Sequence, residues 1–271
     1  MPLAGLSRRR NRPFARFALL LISLSLFLVS TQPRWQSWTI APELANAQSV
    51  LWITAHPDDE SFFFAPTITN LVRSSTHTQA SLLCLSVGDY EGTGLIRRSE
   101  LHESCKVLGI DESRCLAIDH PQLPDNPNVN WPAEVVLNIV KQRATDWKSN
   151  AIITFDDYGV SGHANHRILH KILSDAIRNE ALSIPVYSLC SANILAKYTS
   201  LALLPFAFVK HIVSGIVSPS KGSSSLFASS FKSFALARAS FAAHKSQSRW
   251  FRTLFVSASR YLWYVQLDRV E

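Results

Sequence analysis

The sequence lacks several features that mark common protein classes. It contains only four cysteines, which form no C-x-x-C pair, and it has no N-x-Ser/Thr glycosylation acceptor. These absences exclude a small disulfide-stapled scaffold and favour a reducing, cytosolic environment. The cysteines are Cys84, Cys105, Cys115 and Cys190. Internal repeats and a glycine-rich phosphate loop are also missing, so a nucleotide cofactor has no support.

Basic residues outnumber acidic ones by 27 to 20, which gives the chain of 271 residues a net charge of +7. This charge suits an anionic partner, and its distribution distinguishes nucleic acid from a membrane. One basic group precedes an N-terminal apolar run, and a second is mixed with aromatic residues near the C-terminus. The groups are Arg8, Arg9, Arg10, Arg12 and Arg16, and Lys232, Arg238, Lys245, Arg249, Arg252 and Arg260. Their placement favours a membrane surface and argues against nucleic acid as a partner.

The N-terminal apolar run predicts a membrane anchor. Phe14–Val29 is interrupted only by Arg16 and two serines, and it is slightly shorter than the roughly 20 residues of a typical spanning helix. A signal peptide is the alternative, because Ala45-Asn46-Ala47 resembles a cleavage site. That site lies far beyond the apolar run. We therefore expect an uncleaved anchor within residues 1–34, followed by a linker over residues 35–48.

Residues 49–190 have the pattern of an α/β domain, and the hydrophobic content of 47% suffices for a full-sized core. Short apolar runs predict strands, and the amphipathic stretches between them predict helices. The predicted strands are Val50–Ala55, Ala80–Val87, Ala151–Phe155 and Pro185–Leu189, and the predicted helices are Phe62–Arg73, Leu95–Leu108, Pro132–Trp147 and His166–Asn179. This alternation predicts a mostly parallel sheet flanked by helices, with ligands bound beyond the carboxyl ends of the strands.

Residues 191–271 are rich in apolar and basic side chains, and we expect them to form an extension that completes the domain at the membrane. Within it, Leu201–Val217 is strongly apolar but contains a proline, a lysine and a glycine, and a serine-rich loop, Ser218–Ser225, follows. A kinked helix buried in the core and an interfacial or re-entrant segment explain this run equally well.

A first cluster of chemically capable residues, Ala55–Glu60, directly follows the first strand of the domain. Pro57 biases His56 towards an extended backbone, so that its imidazole projects from the strand end. Acidic capping of a helix would explain Asp58, Asp59 and Glu60, but it does not require a histidine. The cluster therefore favours a functional site over a simple helix cap.

A second cluster, Thr154–His166, follows another strand and leads into a helix. His163 and His166 stand three residues apart and share a face if they lie in the first helical turn. A lone histidine pair is often exposed at the surface and has no function. Two clusters at two strand ends, one with histidine and aspartate and the other with two histidines, favour a metal site.

Two neutral imidazoles and one carboxylate would leave a bound zinc ion positively charged with an open position, as in catalytic sites. Water bound there has its pKa lowered to about 7, so it could hydrolyse an amide with a nearby carboxylate as base and a histidine as acid. Iron, cobalt or manganese would suit the same ligands. His170 is four residues beyond His166 and could reach the same face, but it lies farther from the strand end and is expected to be structural. The remaining histidines have no ligand-type spacing and are expected to be solvent or packing residues: His77, His102, His120, His211 and His244.

At these residues the chain resembles the PIG-L family of de-N-acetylases. The two motifs of that family, A-H-P-D-D-E and H-x-x-H, occur unaltered as Ala55–Glu60 and His163–His166. The resemblance implies a Rossmann-like fold and a zinc-dependent amide hydrolase. It also implies roles for five side chains: metal ligation by His56, Asp59 and His166, general base catalysis by Asp58, and electrophilic and acid catalysis by His163.

Within the family, the chain is similar to the eukaryotic branch that acts on N-acetylglucosaminyl-phosphatidylinositol in glycosylphosphatidylinositol-anchor synthesis. The similarity runs roughly from Val50 to Leu262 and includes the tail His244–Tyr261. It implies a glycolipid substrate at the endoplasmic reticulum membrane. It also places Arg97 near the substrate, although an ordinary arginine on a helix surface is almost as good an explanation.

The orientation at the membrane receives opposing signals. Five arginines before the apolar run would leave the N-terminus cytosolic and the domain lumenal. The cysteines and the missing glycosylation acceptors favour the cytoplasmic face, which we expect. Two alternatives to the main hypothesis are a deacetylase for another N-acetylglucosaminyl compound and a membrane scaffold without activity, although no motif residue is lost.

Overall fold

One mixed sheet organises the part of the chain that the computed structural model describes, which is residues 12–74, 78–217 and 224–271. Its strands are β1 (Ser49–Thr54), β2 (Gln79–Cys84), β3 (Cys115–Ala117), β4 (Ala151–Phe155), β5 (Val186–Leu189), β6 (Ser225–Ala228) and β7 (Tyr264–Arg269). Within the described residues they lie in the order β3-β2-β1-β4-β5-β7-β6. The pairs from β3 to β5 are parallel, and β7 is antiparallel to both of its neighbours.

The centre of the sheet follows from the apolar runs of the sequence. β1 and β4 are buried at every position, as expected for strands that helices cover on both faces. The four predicted strands correspond to β1, β2, β4 and β5. The prediction of a mostly parallel α/β sheet is therefore confirmed.

Helices flank this sheet. They are α1 (Arg12–Ser30), α2 (Gln32–Trp35), α3 (Pro42–Ala45), α4 (Ala65–Ser74), α5 (Gly94–Leu108), α6 (Ala133–Asp146), α7 (Gly159–Gly162), α8 (Ala164–Arg178), α9 (Ile194–Lys197), α10 (Leu204–Val217), α11 (Phe231–Ala243) and α12 (Trp250–Ala258). The four predicted helices correspond to α4, α5, α6 and α8. A wide helical turn, Glu60–Phe64, precedes α4. α5 ends at Gly109, which has the left-handed φ of 87° that favours glycine.

The predicted anchor corresponds to α1, but α1 alone does not meet the criteria for a membrane span. In the described ranges, no single helix combines the length and the hydropathy needed to cross a bilayer. The two consecutive segments Ala15–Ser30 and Gln32–Trp38 reach this length and hydropathy only when taken together, and the two are bent by 68° relative to each other. Arg8, Arg9 and Arg10 lie outside the described residues. In the predicted linker, Ala41, Leu44 and Ala47 are buried in the core.

α10 is not a buried core helix. Phe206, Val209, Val213 and Ile216 are exposed along it, and its main buried residues are the first two, at its start. The helix packs beside α1, whose apolar residues are also largely exposed. The core-helix interpretation of Leu201–Val217 is therefore wrong. Most of the serine-rich loop that follows lies outside the described residues.

The C-terminal region is built into the sheet. β7 lies against β5, and Val265 and Leu267 of β7 are fully buried, as are Tyr261 and Leu262 just before it. Neither β6 nor β7 was predicted. Residues 191–271 therefore supply part of the domain core itself.

Two of the four cysteines are paired, which the reducing environment expected from the sequence did not lead us to predict. Cys105 of α5 and Cys115 of β3 form a disulfide, whereas Cys84 and Cys190 are free. The sequence did not reveal the pair because ten residues separate the two cysteines, and the packing of α5 on β3 brings them together. The argument from free cysteines for a reducing environment loses this support.

Candidate active site

The two sequence motifs meet because the strands that carry them are neighbours. β1 and β4 pair in parallel, so the loops at their carboxyl ends lie at the same edge of the sheet. The ring centroids of His56, His163 and His166 lie 4.9 to 5.5 Å apart. One nitrogen from each ring lies within 4.8 Å of the others, which is a group that could hold a metal ion.

Asp59 is held in place by the backbone before it. Its Oδ2 accepts the N–H groups of Ala55 at 3.1 Å and His56 at 2.9 Å. Its Oδ1 lies 3.3 Å from Nε2 of His166. Burial disfavours the charged carboxylate, but His166 and His56 outweigh burial and lower the pKa of Asp59 below its ordinary value. Asp59 is therefore an ionised, oriented carboxylate.

The hydrogen bonds of two histidines assign their tautomers. Nδ1 of His166 lies 3.1 Å from the carbonyl oxygen of Gly159, so Nδ1 carries the proton and Nε2 has a free lone pair. Nε2 of His56 lies 3.1 Å from a carboxylate oxygen of Asp125, so the lone pair of this ring is on Nδ1. That Nδ1 lies 4.0 Å from Oδ2 of Asp59. Both lone pairs thus lie beside the carboxylate of Asp59.

His163 has the opposite tautomer. Its Nδ1 accepts the N–H of Asn165 at 3.3 Å, so in the neutral ring Nε2 carries the proton and is a donor rather than a ligand. Burial, together with repulsion from His56 and His166, lowers the pKa of His163 to about 4. The ring is therefore neutral near pH 7 and half-exposed to solvent.

The donor set fits a divalent metal ion. Two neutral imidazoles and one carboxylate, from His56, His166 and Asp59, are ligands of catalytic zinc sites. Hydrogen bonds already orient each of them, as ligands of bound metals usually are. His163 completes a three-histidine group of suitable dimensions, but its tautomer favours a role as hydrogen-bond donor.

Asp58 lies beside this set with a left-handed φ of 112°, which is unusual for a residue with a side chain. The backbone is held there because Oε2 of Glu60 accepts its N–H at 3.0 Å and its carbonyl accepts the N–H of Phe62 at 3.0 Å. Its Oδ2 lies 2.6 Å from Nη1 of Arg252 and 3.8 Å from Nη2 of Arg97. Burial raises the pKa of Asp58 against the opposing effect of these two arginines.

Arg97 does not lie on the helix surface, which was the alternative interpretation. Its guanidinium is buried and donates to the carbonyls of Gly88 and Pro57, both at 2.8 Å, and to Asp125 at 3.3 Å. Gly88 has a φ of 73°, and a Cβ at this position would collide with the guanidinium. Arg97 thus joins three loops around the site through bonds that occupy both of its terminal nitrogens.

Sequence reasoning missed two side chains that orient His56. Asp125 contacts both His56 and Arg97, and burial raises its pKa, but the hydrogen bond from His56 and the charge of Arg97 outweigh burial, so that the pKa of Asp125 is lowered. Asn165 is fully buried, with Oδ1 3.2 Å from Nε2 of His56. Asn165 stands inside the second motif, where its position could have suggested a role. Asp125 lies in a loop without regular structure, which offers no periodic signal.

A buried pair from distant parts of the chain supports the first motif. Nε2 of His244 lies 2.6 Å from Oε1 of Glu60, and neither side chain is exposed. The same Glu60 oxygen accepts the hydroxyl of Ser104 at 2.5 Å. His244 was expected to be a packing or solvent-facing residue, and it is a packing residue, since it is fully buried. Its pairing with Glu60, the residue that holds the backbone of Asp58, could not be seen in the sequence.

Comparison with known proteins identifies the family of this chain. A PIG-L family model, described as GlcNAc-PI de-N-acetylase, matches residues 51–177. The N-acetylglucosaminyl-phosphatidylinositol de-N-acetylase of Bos taurus is 36% identical over 236 residues, which cover 84% of this chain and 88% of the bovine protein. The chain belongs to the PIG-L family. A probable enzyme of the same name from Schizosaccharomyces pombe is 31% identical over 222 residues, covering 81% of this chain and 86% of the yeast protein.

The PIG-L fold extends to distant solved structures. The zinc-inhibited form of teicoplanin deacetylase Orf2 matches 82% of this chain and 97% of its own, with a TM-score of 0.56 at 9% identity. This similarity shows a shared fold. The PIG-L family model ends at residue 177, so the tail that supplies His244 and Arg252 lies beyond the region it matches.

Proposed function

We propose that this PIG-L enzyme hydrolyses the N-acetyl group of N-acetylglucosaminyl-phosphatidylinositol and yields glucosaminyl-phosphatidylinositol and acetate. This reaction is the second step of glycosylphosphatidylinositol-anchor synthesis. One observation carries the chemistry: the tautomers of His56 and His166 leave two lone pairs beside the ionised Asp59. The bovine relative, an N-acetylglucosaminyl-phosphatidylinositol de-N-acetylase, and its probable counterpart from Schizosaccharomyces pombe support the choice of this glycolipid.

In this proposal His56, Asp59 and His166 hold the metal, for which zinc is our first candidate. A bound divalent ion supplies Lewis acidity, which acidifies a coordinated water and polarises the amide carbonyl. Iron, cobalt or manganese would suit the same donors. Each of the two histidines is hydrogen-bonded through the ring nitrogen that would not bind the metal, and this supports the assignment.

The remaining site residues handle protons and charge. Asp58 accepts the proton of the attacking water as general base. The Nε2–H of His163 donates to the developing oxyanion, and a neutral imidazole suffices for this electrophilic role. The resemblance also gave His163 the role of acid, but its pKa of about 4 leaves the ring neutral, so we propose that the proton accepted by Asp58 goes to the departing amine instead. Arg97 positions the loops that carry Asp58 and Asp125.

We further propose that the enzyme works at the endoplasmic reticulum membrane with its catalytic domain, residues 49–190, on the cytoplasmic face. The exposed apolar residues of α1 and α10 support an N-terminal anchoring segment, residues 1–34, and a membrane-facing region within residues 191–271. The absence of glycosylation acceptors supports the orientation. In intact microsomes, protease should digest the catalytic domain, and protection of that domain would contradict the orientation.

Acetate release from N-acetylglucosaminyl-phosphatidylinositol by the purified full-length protein tests the reaction. We expect chelation to abolish activity, zinc to restore it, and Asp58→Asn to lower kcat by about 100-fold or more. Asp157→Asn is the matched control, because Asp157 also lies just beyond the carboxyl end of a strand, β4, but is exposed and does not belong to the proposed metal ligands. Activity that survives both chelation and Asp58→Asn would overturn the mechanism. Activity restricted to a soluble glycoside would favour another N-acetylglucosaminyl substrate.

A further inference from the structure

Arg252 connects the C-terminal tail to the proposed catalytic base. Its Nη1 lies 2.6 Å from Oδ2 of Asp58 and donates at 2.6 Å to Oε1 of Gln247. The residue lies on α12, whose inner face packs on the core through Phe255 and Val256. An arginine from outside the region that the family model matches thus reaches the centre of the site.

Arg252 differs from Arg97 in its freedom to bind a ligand. The side chain of Arg97 is 8% exposed, and both of its terminal nitrogens donate to backbone carbonyls. The side chain of Arg252 is 28% exposed, and its three hydrogen bonds to described residues all use Nη1. Nε and Nη2 therefore present a second edge of the guanidinium, which has the planar fork geometry that suits phosphate oxygens.

The surroundings of Arg252 are graded from polar to apolar. On its inner side lie Asp58 and the proposed metal ligands. On the outer face of the same helix, Trp250 is 79% exposed, Phe251 53% and Leu254 57%. The order carboxylate, guanidinium and apolar surface parallels the order of parts in a glycolipid: acetamido sugar, phosphodiester and acyl chains.

We propose that Arg252 binds the phosphodiester of the substrate through Nε and Nη2, while Nη1 keeps its contact with Asp58. The glycolipid in this inference rests on the proposed function. A charged hydrogen bond to a phosphate oxygen then forms without the loss of an existing one. Arg252 then distinguishes phosphate-bearing substrates from the corresponding glycosides without phosphate.

The test compares two substrates that share the reacting sugar. One is N-acetylglucosaminyl-phosphatidylinositol in detergent micelles, and the other is N-acetylglucosaminyl-inositol, which lacks the phosphodiester. We expect Arg252→Gln to lower kcat/KM for the first about 10- to 100-fold, the size expected for a charged hydrogen bond. For the second, kcat/KM should fall several-fold less, because this substrate has no phosphodiester contact to lose and only the contact with Asp58 is removed. Arg252→Lys should keep part of the preference for phosphate.

Arg143→Gln is the matched control, since Nη1 of Arg143 pairs with Oδ2 of Asp146 at 2.9 Å on α6. It should alter neither substrate's kcat/KM. Equal losses on both substrates in Arg252→Gln would show that Arg252 acts only through Asp58 and would overturn the inference. Equal activity of Arg252→Gln and wild type on both substrates would overturn it as well.

A binding measurement distinguishes failure of this inference from failure of the proposed function. If the wild type releases no acetate from the glycolipid, the proposed function fails. The affinity for glycerophosphoinositol, measured by calorimetry, then decides the role of Arg252. Weaker binding by Arg252→Gln than by the wild type supports phosphate recognition, and equal binding refutes it.

Discussion

His244→Ala isolates the contribution of the buried pair between the tail and the first motif. The substitution removes the imidazole 2.6 Å from Oε1 of Glu60, at a place with no exposed side-chain surface. Glu60 keeps its bonds to the hydroxyl of Ser104 and the N–H of Asp58. Its carboxylate nevertheless stays buried without the partner that balances its charge.

The expected loss is large. Removing one partner of a buried ion pair costs about 3–5 kcal/mol of unfolding free energy. For a domain of this size each kcal/mol lowers Tm by about 2–4 °C, so we expect Tm to fall by about 6–20 °C. Because Glu60 holds the unusual backbone of Asp58, kcat should fall together with stability.

The loss should also depend on pH. Burial lowers the pKa of His244, but the carboxylate of Glu60 outweighs burial, so that the pKa in the folded protein is raised above its ordinary value. Protonated His244 therefore stabilises the fold, and this contribution is complete at pH values below about 6.5, the pKa of histidine in the unfolded chain. The contribution is lost as the pH rises through the higher pKa that His244 has in the folded protein. The difference between wild type and His244→Ala should therefore be greatest in mildly acidic buffer and smaller in alkaline buffer.

Thermal and urea unfolding at acidic, neutral and alkaline pH measure these effects. His170→Ala is the control, because it also removes an imidazole, which is half-buried and has no carboxylate partner among the described residues. A loss below about 1 kcal/mol in His244→Ala, or a loss equal to that of the control, would refute the reasoning.

Three further substitutions test other parts of the structure. Asp125→Ala removes the hydrogen-bond partner of His56 and should weaken zinc binding about 10- to 100-fold, measured by competition with a chelating dye. Gly88→Ala forces a Cβ onto the guanidinium of Arg97 at a φ of 73°, so it should cost about 1–2 kcal/mol in urea unfolding and lower kcat/KM. Trp250→Ala should leave Tm unchanged, because the side chain is 79% exposed, yet weaken binding to phosphatidylinositol-containing vesicles roughly tenfold in sedimentation assays. Unchanged zinc affinity, unchanged stability or unchanged vesicle binding would contradict the respective prediction.

The parallel part of the fold was predictable because its strands are continuous apolar runs. Ala151–Phe155 was predicted with the bounds that β4 has, since every one of its residues is buried. β3 has only three residues, which is too short for a clear pattern. β6 begins at Ser225, within the stretch whose serines predicted a loop. β7 follows a stretch rich in basic and aromatic residues, and its pairing with β5 depends on packing that the local sequence does not encode.

The site was predictable where its residues are close in sequence. His56 and Asp59 are three residues apart, as are His163 and His166, and each pair has a spacing with chemical meaning. Residues that reach the site from far along the chain carry no such signal. Oδ2 of Asp58 and Nη1 of Arg252 are in contact across 194 positions of sequence, so only the three-dimensional structure shows that they meet.

The position of β7 has a consequence for how the chain folds during synthesis. β7 lies between β5 and β6, yet α9 to α12 separate it from β5 along the chain. Until these residues have left the ribosome, the edge of β5 exposes unpaired backbone groups that invite pairing with another chain. We therefore expect nascent chains arrested before Tyr264 to depend on chaperones, and a truncation there to yield aggregated protein rather than a soluble deacetylase that has lost only its preference for lipid.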